Sequence, residues 1–323
     1  MNLERAQGRT FDPTTFTIED RLSVPAYARA LGIDDPLLCS IRAARAAGLA
    51  GRLVVPPMFA FFQTLDAEVL TDELGFVWGR TLSAGMEFAA TRPVTDDDEV
   101  VGQSRVDAVW EKLGRDQTVR QFLRLATDYH TTAGDHVCTW QIVFIERKDG
   151  EPDARFPPAA AGASPTEASG QQARRFLTAA PKAVPGETLP AHRPPVLDRF
   201  VLARMSVAID NPDPLHLDDD LAREAGLPGV VGQGSWVAGA LYEPVRSWAG
   251  IERVLSGSVT QRQPVLPRAA LHANGQVEAV DASGGCEVAV CRTTLTDASD
   301  PSGSVVAEGE FRVALEATNP GGR

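Results

Sequence analysis

Residues 213–226 read DPLHLDDDLAREAG, and residues 35–48 read DPLLCSIRAARAAG. The two stretches align without a gap at an offset of 178 residues. The residues identical in both copies are Asp35 and Asp213, Pro36 and Pro214, Leu37 and Leu215, Ala44 and Ala222, Arg45 and Arg223, Ala47 and Ala225, and Gly48 and Gly226. A match of this density predicts that the chain contains two copies of one structural unit.

The boundary between the two copies is predicted from composition. Residues 151–175 are rich in Pro, Ala, Gly and Ser and follow neither the helical nor the strand period of apolar residues, which is typical of a linker. We therefore expect a first unit at 1–150, a linker at 151–175 and a second unit at 176–323.

Both units have the same coarse order of elements. After short helical stretches comes a longer apolar segment, at 58–70 in the first unit and 235–248 in the second, with room for three or four helical turns. Segments that alternate apolar and polar residues follow, separated by Gly-containing turns. The pattern predicts an α+β fold in which a long helix packs on an antiparallel sheet, once in each unit.

Composition excludes several classes of protein. The chain has 323 residues and a net charge of −12, which argues against binding to nucleic acid or to an anionic membrane surface. No apolar run approaches the roughly 20 residues that span a bilayer, and the polar N-terminus predicts a cytoplasmic location. The four cysteines are isolated, so we expect reduced thiols, no structural metal and no redox cofactor.

One motif in the second unit carries chemistry. Residues 209–218 read IDNPDPLHLD, and Gly232-Gln233-Gly234 opens the long helix that follows. The motif resembles that of the MaoC-like hydratases and dehydratases, which have D-x-N-P-[I/L]-H followed by a His-Gly pair before the helix of a hot-dog fold. The repeat resembles the members with two hot-dog units, in which a degenerate first unit precedes a catalytic second one. The resemblance implies a double hot-dog fold over most of 20–147 and 186–317.

The resemblance also implies roles for individual residues. His216 falls on the family histidine, which holds a water molecule together with an aspartate. The backbone N–H groups at the start of the long helix would bind the thioester oxygen, which points to Gln233, Gly234 and Ser235 as substrate-binding residues. The acid and the amide of the motif are exchanged, because the family aspartate falls on Asn211 and the family asparagine on Asp213.

The exchange leaves the source of the carboxylate open. An amide cannot act as a base, so Asn211 could orient water without taking its proton. Asp210 or Asp213 could supply the acid, or His216 could act alone. The alternative interpretation is that the Pro-rich stretch is only a rigid turn. The first copy has Leu38 at the position of His216, which predicts one active site in the chain.

The expected function is a hydratase or dehydratase of acyl thioesters carried on coenzyme A or on acyl carrier protein, without a cofactor. Two alternatives are open: an atypical MaoC-like enzyme that performs another conjugate addition, a cyclisation or an isomerisation, and a non-catalytic acyl-binding subunit. Two double-hot-dog chains could pair as a homodimer.

Overall fold

The computed structural model describes residues 1–49, 53–56, 69–77, 80–92, 94–114, 116–158, 180–211, 213–283, 286–300 and 302–315. Within these ranges the helices are α1 (Leu3–Ala6), α2 (Ile18–Arg21), α3 (Val24–Leu31), α4 (Pro36–Cys39), α5 (Ile41–Ala46), α6 (Arg199–Ala208), α7 (Asp219–Glu224) and α8 (Gly234–Ala249). Shorter turns lie at Val69–Glu73, Pro214–His216 and Ile251–Arg253.

The strands within the described residues, in chain order, are β1 (Thr14–Thr17), β2 (Val54–Val55), β3 (Leu82–Ala90), β4 (Val94–Thr95), β5 (Glu99–Leu113), β6 (Val119–Thr131), β7 (His136–Lys148), β8 (Val254–Gln261), β9 (Leu271–Ser283), β10 (Cys286–Asp297) and β11 (Val305–Ala314). Nine of them form one antiparallel sheet in the order β1-β5-β6-β7-β3-β8-β11-β10-β9. The α+β double hot-dog architecture expected from the sequence is confirmed.

The two units share this sheet through one seam, the pairing of β3 with β8. The register places Gly85 opposite Thr260 and Ala89 opposite Ser256. Sequence patterns did not predict β3, because its residues, LSAGMEFAA, include no β-branched side chain and so have low strand propensity. It forms a strand because it is hydrogen-bonded on both sides, to β7 and to β8.

Helix α8 is the central helix of the second unit, and it packs against α3 of the first. The Trp236 Nε1–H donates a hydrogen bond to the carbonyl of Ala30 over 2.8 Å. Gly239 makes the close approach possible, because a Cβ there would lie 2.3 Å from the Tyr27 hydroxyl. The corresponding first-unit helix, predicted at 58–70, lies almost wholly outside the described residues.

The repeated Asp-Pro-Leu turn is built in the same way in both units. The Asp35 carboxylate accepts a hydrogen bond from the Leu37 N–H at 2.8 Å, and the Asp213 carboxylate accepts one from the Leu215 N–H at 3.0 Å. An Asp side chain that satisfies the first free N–H groups of a turn is a standard cap, so the fold requires this Asp in both copies. Leu38, which stands where the second copy has His216, is buried in the core.

The domain boundaries stay a prediction, because much of the expected linker at 151–175 lies outside the described residues. The start of that stretch packs on the first unit, where the Glu111 N–H donates to the carbonyl of Phe156 over 2.9 Å. No helix within the described ranges is both long enough and apolar enough to cross a membrane.

Candidate active site

The loop after α6 brings the predicted acidic and amide side chains to the wall of one cavity. Asp210 has a φ of +48°, in the left-handed region that Asp tolerates better than most residues. The Asn211 N–H then donates to the carbonyl of Ser206 over 2.9 Å, and the Asn211 side-chain oxygen accepts a hydrogen bond from the Asp213 N–H at 3.1 Å. The left-handed residue therefore reverses the chain, and the amide of Asn211 holds the reversed loop.

His216 is buried at the end of this loop, with 8% of its surface exposed. Its Nδ1 lies 2.8 Å from the carbonyl oxygen of Val231. A carbonyl only accepts hydrogen bonds, so Nδ1 carries the proton and Nε2 of the neutral ring is left with a free lone pair. Burial lowers the pKa of His216, against the opposing effect of the nearby Asp213 carboxylate. The neutral ring, which can accept a proton, is therefore favoured.

Asp213 is the carboxylate whose charge acts on the His216 ring. It is 9% exposed, and burial raises its pKa, whereas His216 and the Leu215 N–H lower it. Its Oδ1 accepts the hydrogen bond from Leu215, and among the described residues Oδ2 accepts none. Asp213 thus interacts with the histidine, whereas the Asn211 amide oxygen accepts a hydrogen bond from a backbone N–H group.

Three predicted substrate-binding residues lie at the start of α8, and two of them line the cavity. Gly234 and Ser235 do so, and the Ser235 hydroxyl is buried without a hydrogen-bond partner in the described protein. The Gln233 side chain points the other way, towards α6, and donates hydrogen bonds to the Leu202 carbonyl and the Ser206 hydroxyl, both at 3.0 Å. The first N–H groups of a helix have no partner within the helix, so this end can bind a developing negative charge.

Gly234 is where the two units meet at the cavity. A Cβ on it would lie 2.6 Å from Nε2 of Gln261 and 2.8 Å from Cε of Met86. The Gln261 side chain in turn lies across the seam from Ser83, with 3.3 Å between Nε2 and Oγ. A side chain at this position would therefore displace side chains of both units at the seam.

The cavity has a volume of about 800 Å³ and takes walls from both units. The second unit supplies the residues of the motif and of the helix start, Asp210, Asn211, Asp213, His216, Gly234 and Ser235. The first unit supplies an apolar wall of Leu70, Phe76, Met86, Ile142 and Phe144. The rings of Phe76 and Phe144 pack edge to face, with their centroids 4.7 Å apart. A site of this size and composition suits a small ligand with an apolar part and one polar reacting group.

Sequence reasoning placed every named site residue in the second unit and identified none of the residues of this wall. Its residues are separated from His216 by some 70 to 150 positions and carry no motif. Within the described residues, no three or more His, Cys, Asp or Glu side chains group in a way that could hold a metal ion.

Known proteins resemble part of the chain in sequence. A family model described as the FAS1-like dehydratase domain region matches residues 5–140. A UPF0336 protein of Streptomyces avermitilis is 30% identical over 135 residues, which are 41% of this chain and 86% of that protein. A UPF0336 protein of Streptomyces coelicolor is 30% identical over 143 residues, 43% of this chain and 91% of the relative.

Solved structures resemble the whole chain. A MaoC-like dehydratase superposes with a TM-score of 0.72 at 17% identity, over 96% of this chain and 98% of the other. A MaoC-like dehydratase from Phytophthora capsici gives 0.64 at 14% identity, over 99% and 100% of the two chains. A Mycobacterium tuberculosis protein described as having a double hot-dog fold gives 0.59 at 14% identity, over 95% and 96%. The chain therefore belongs to the family of the UPF0336 proteins. Its residues 5–140 are similar to a FAS1-like dehydratase region, and its fold is the double hot-dog fold of the solved structures that it resembles.

Proposed function

We propose that the protein is a hydratase or dehydratase of acyl thioesters, which interconverts a 2-enoyl and a 3-hydroxyacyl group. One observation carries the proposal. The Nδ1–H of His216 is held by the Val231 carbonyl, so its other ring nitrogen is free to act as a base beside Asp213, at the start of α8.

The hydration step follows from these positions. His216 Nε2 takes a proton from water as the water oxygen forms a bond to the β carbon of the enoyl thioester. The electron pair of the carbon–carbon double bond moves towards the carbonyl, and the N–H groups of Gly234 and Ser235 bind the resulting enolate oxygen. Asp213, whose pKa is raised by burial, is suited to deliver the proton that the α carbon then needs. The proton that His216 took from water then returns to Asp213, which restores both groups for the next turnover. Dehydration is the same path reversed.

The division of the cavity fits this substrate class. The acyl chain lies against the apolar wall of the first unit, and the thioester lies at the helix end in the second unit. The first unit has no histidine at the corresponding position, where Leu38 is buried in the core, so one active site per chain is proposed. A cytoplasmic location and a homodimer of double-hot-dog chains stay predictions from the sequence.

The test is turnover of crotonyl-CoA, followed by the loss of enoyl absorbance. His216→Ala should lower kcat by at least about 10²-fold, the lower range for a general base. His130→Ala, at the far end of β6 and outside the cavity, is the matched control and should keep full activity. Turnover that survives His216→Ala would contradict the assignment of the base.

The exchanged acid and amide favour a second candidate, a different conjugate addition or an isomerisation on the same scaffold. The double variant Asn211→Asp with Asp213→Asn restores the family order and separates the two. If the enzyme is a hydratase that uses Asp213, the double variant should lose activity, because the acid moves to the position that now braces the loop. A double variant that hydrates crotonyl-CoA faster than the parent would favour the second candidate.

A further inference from the structure

The outer face of the first-unit sheet has a row of positive side chains that the proposed chemistry does not use. In the register of the sheet, Lys112 on β5 lies opposite Arg120 on β6, and Arg120 lies opposite Arg147 on β7. Arg80 lies in the turn before β3, whose Leu82 pairs with Ile145, and it lines the same cavity as Arg147. Side chains directly opposite each other share one face, with Cβ atoms about 5 Å apart. We call Lys112, Arg120, Arg147 and Arg80 the cation row.

Among the described residues, one member of the cation row has an acidic partner and three have none. Arg120 pairs with Asp116 over 2.7 Å. The other three form no ion pair with any residue in the described ranges. Arg147 and Lys112 are exposed. Like charges on directly opposite positions of a sheet destabilise it, and the protein as a whole carries a net charge of −12. A concentrated positive row on an acidic protein therefore calls for an anionic ligand.

The row is continuous with the candidate active site. Arg80, Arg120 and Arg147 line the same cavity as His216. A ligand held by its reacting end at the start of α8 can therefore place a charged end on these arginines. Guanidinium groups bind phosphate oxygens in pairs of charge-assisted hydrogen bonds, so phosphate is the anion that the row suits best.

An aromatic surface lies one step along the same face. Trp110 and Phe122 are opposite each other in the next row, two residues from Lys112 and Arg120. Their rings stack with 5.0 Å between centroids and an angle of 1° between planes, and the Arg124 guanidinium lies 5.8 Å from the Trp110 centroid. Both aromatic side chains are only half-buried. Planar bases stack on aromatic and guanidinium surfaces of this kind.

We propose that this face binds the adenine nucleotide of coenzyme A, with the phosphates on the cation row and the base against the Trp110–Phe122 pair. The pantetheine arm then enters the cavity and carries the thioester to His216. The inference rests on the proposed function, since it assigns the carrier of the same thioester. The pantetheine arm of a carrier protein has a single phosphate and no base, so it would leave the aromatic pair unused.

The test separates nucleotide binding from catalysis. Calorimetry measures the binding of coenzyme A and of adenosine 3′,5′-bisphosphate, which is its nucleotide end without the thiol arm. Arg147→Gln and Trp110→Leu should each weaken both by about tenfold or more, which corresponds to the loss of one charge-assisted contact or one stacked base. Arg292→Gln is the matched control, since Arg292 lies on the outer face of the other unit and already pairs with Glu278 and Glu310. It should change neither affinity.

Kinetics provide the second readout. Arg147→Gln should lower kcat/KM for crotonyl-CoA and leave crotonyl-pantetheine, which has neither phosphate nor base, unchanged. Unchanged coenzyme A affinity in both variants would overturn the proposal, and so would turnover confined to carrier-protein thioesters, although the proposed function would survive. If the nucleotide binds through Arg147 and Trp110 but no thioester is hydrated, the nucleotide site stands and the proposed function fails.

Discussion

Gly234→Ala is the substitution that most directly tests how the helix end serves the active site. The added Cβ would lie 2.6 Å from Nε2 of Gln261, 2.8 Å from Cε of Met86 and 3.0 Å from Oγ of Ser83, so these atoms must move by up to about 1 Å to reach ordinary contact distances. All three are ends of side chains, which move at low cost. Steric strain of about 1 kcal/mol is largely offset by the better helix propensity of Ala, so little change in stability is expected.

Activity should respond more strongly than stability. A displacement of about 1 Å at the reacting groups can lower a rate by 10²-fold, and loss of one donor to an oxyanion has a comparable effect. We therefore expect kcat for crotonyl-CoA to fall by about 10²-fold in Gly234→Ala, while the midpoint of thermal unfolding shifts by less than about 2 °C.

Gly239→Ala, one and a half turns along the same helix, provides the opposite case. Its Cβ would meet the buried Tyr27 hydroxyl at 2.3 Å and Cδ1 of Leu31 at 2.5 Å. Tyr27 is 1% exposed and cannot swing away, so the variant should lose about 1–2 kcal/mol of unfolding free energy, or about 2–3 °C, and keep kcat near that of the parent. A Gly234→Ala enzyme with kcat within threefold of the parent would refute the role given to the helix start.

Three further predictions concern stability. Because the pKa of His216 is lowered, its contribution to the free energy of unfolding is full above the ordinary histidine value near 6.5 and is lost as the pH falls below that value. The difference in urea unfolding free energy between the parent and His216→Gln should therefore shrink from pH 7.5 to 5.5. A constant difference would contradict the burial of the ring. The raised pKa of Asp213 acts in the opposite sense, because its contribution to the free energy of unfolding is lost as the pH rises through its pKa in the folded protein. The gain in unfolding free energy from Asp213→Asn, measured by urea denaturation, should therefore be largest at neutral pH. Arg246→Gln should lower the free energy of unfolding by about 3–5 kcal/mol, because it leaves Glu243, whose side chain is 8% exposed, without its counter-ion. Chemical denaturation measures the change, and a loss below about 1 kcal/mol would show that water reaches the Glu243 carboxylate.

The repeat was visible in the sequence because the fold demands the same local chemistry twice. The capped Asp-Pro-Leu turn needs an Asp and a Pro at fixed positions, so both copies have the same residues there. The contrast of Leu38 with His216 then singled out one residue whose presence the turn does not explain. Local requirements of this kind can be read directly from the order of residues.

The remaining features depend on distant partners and could not be read in the same way. Nothing near His216 indicates that Nδ1 is bound by Val231, 15 residues later in the chain. The choice between Asp210 and Asp213 depended on which carboxylate becomes buried near the ring. Gln233 stands at a position where the family pattern suggested a role in binding, but its amide is drawn to polar groups on α6 that only the packed structure supplies.

The seam between β3 and β8 has a consequence for synthesis on the ribosome. About 160 residues separate the end of β3 from the start of β8, and at about 5–20 residues per second they take roughly 10–30 s to translate. During that interval one long edge of the nascent first half has no neighbour, and a bare strand edge is a template for pairing with another chain. Chaperone dependence and aggregation of this protein should therefore be set by how fast its second half emerges, rather than by the stability of the finished fold.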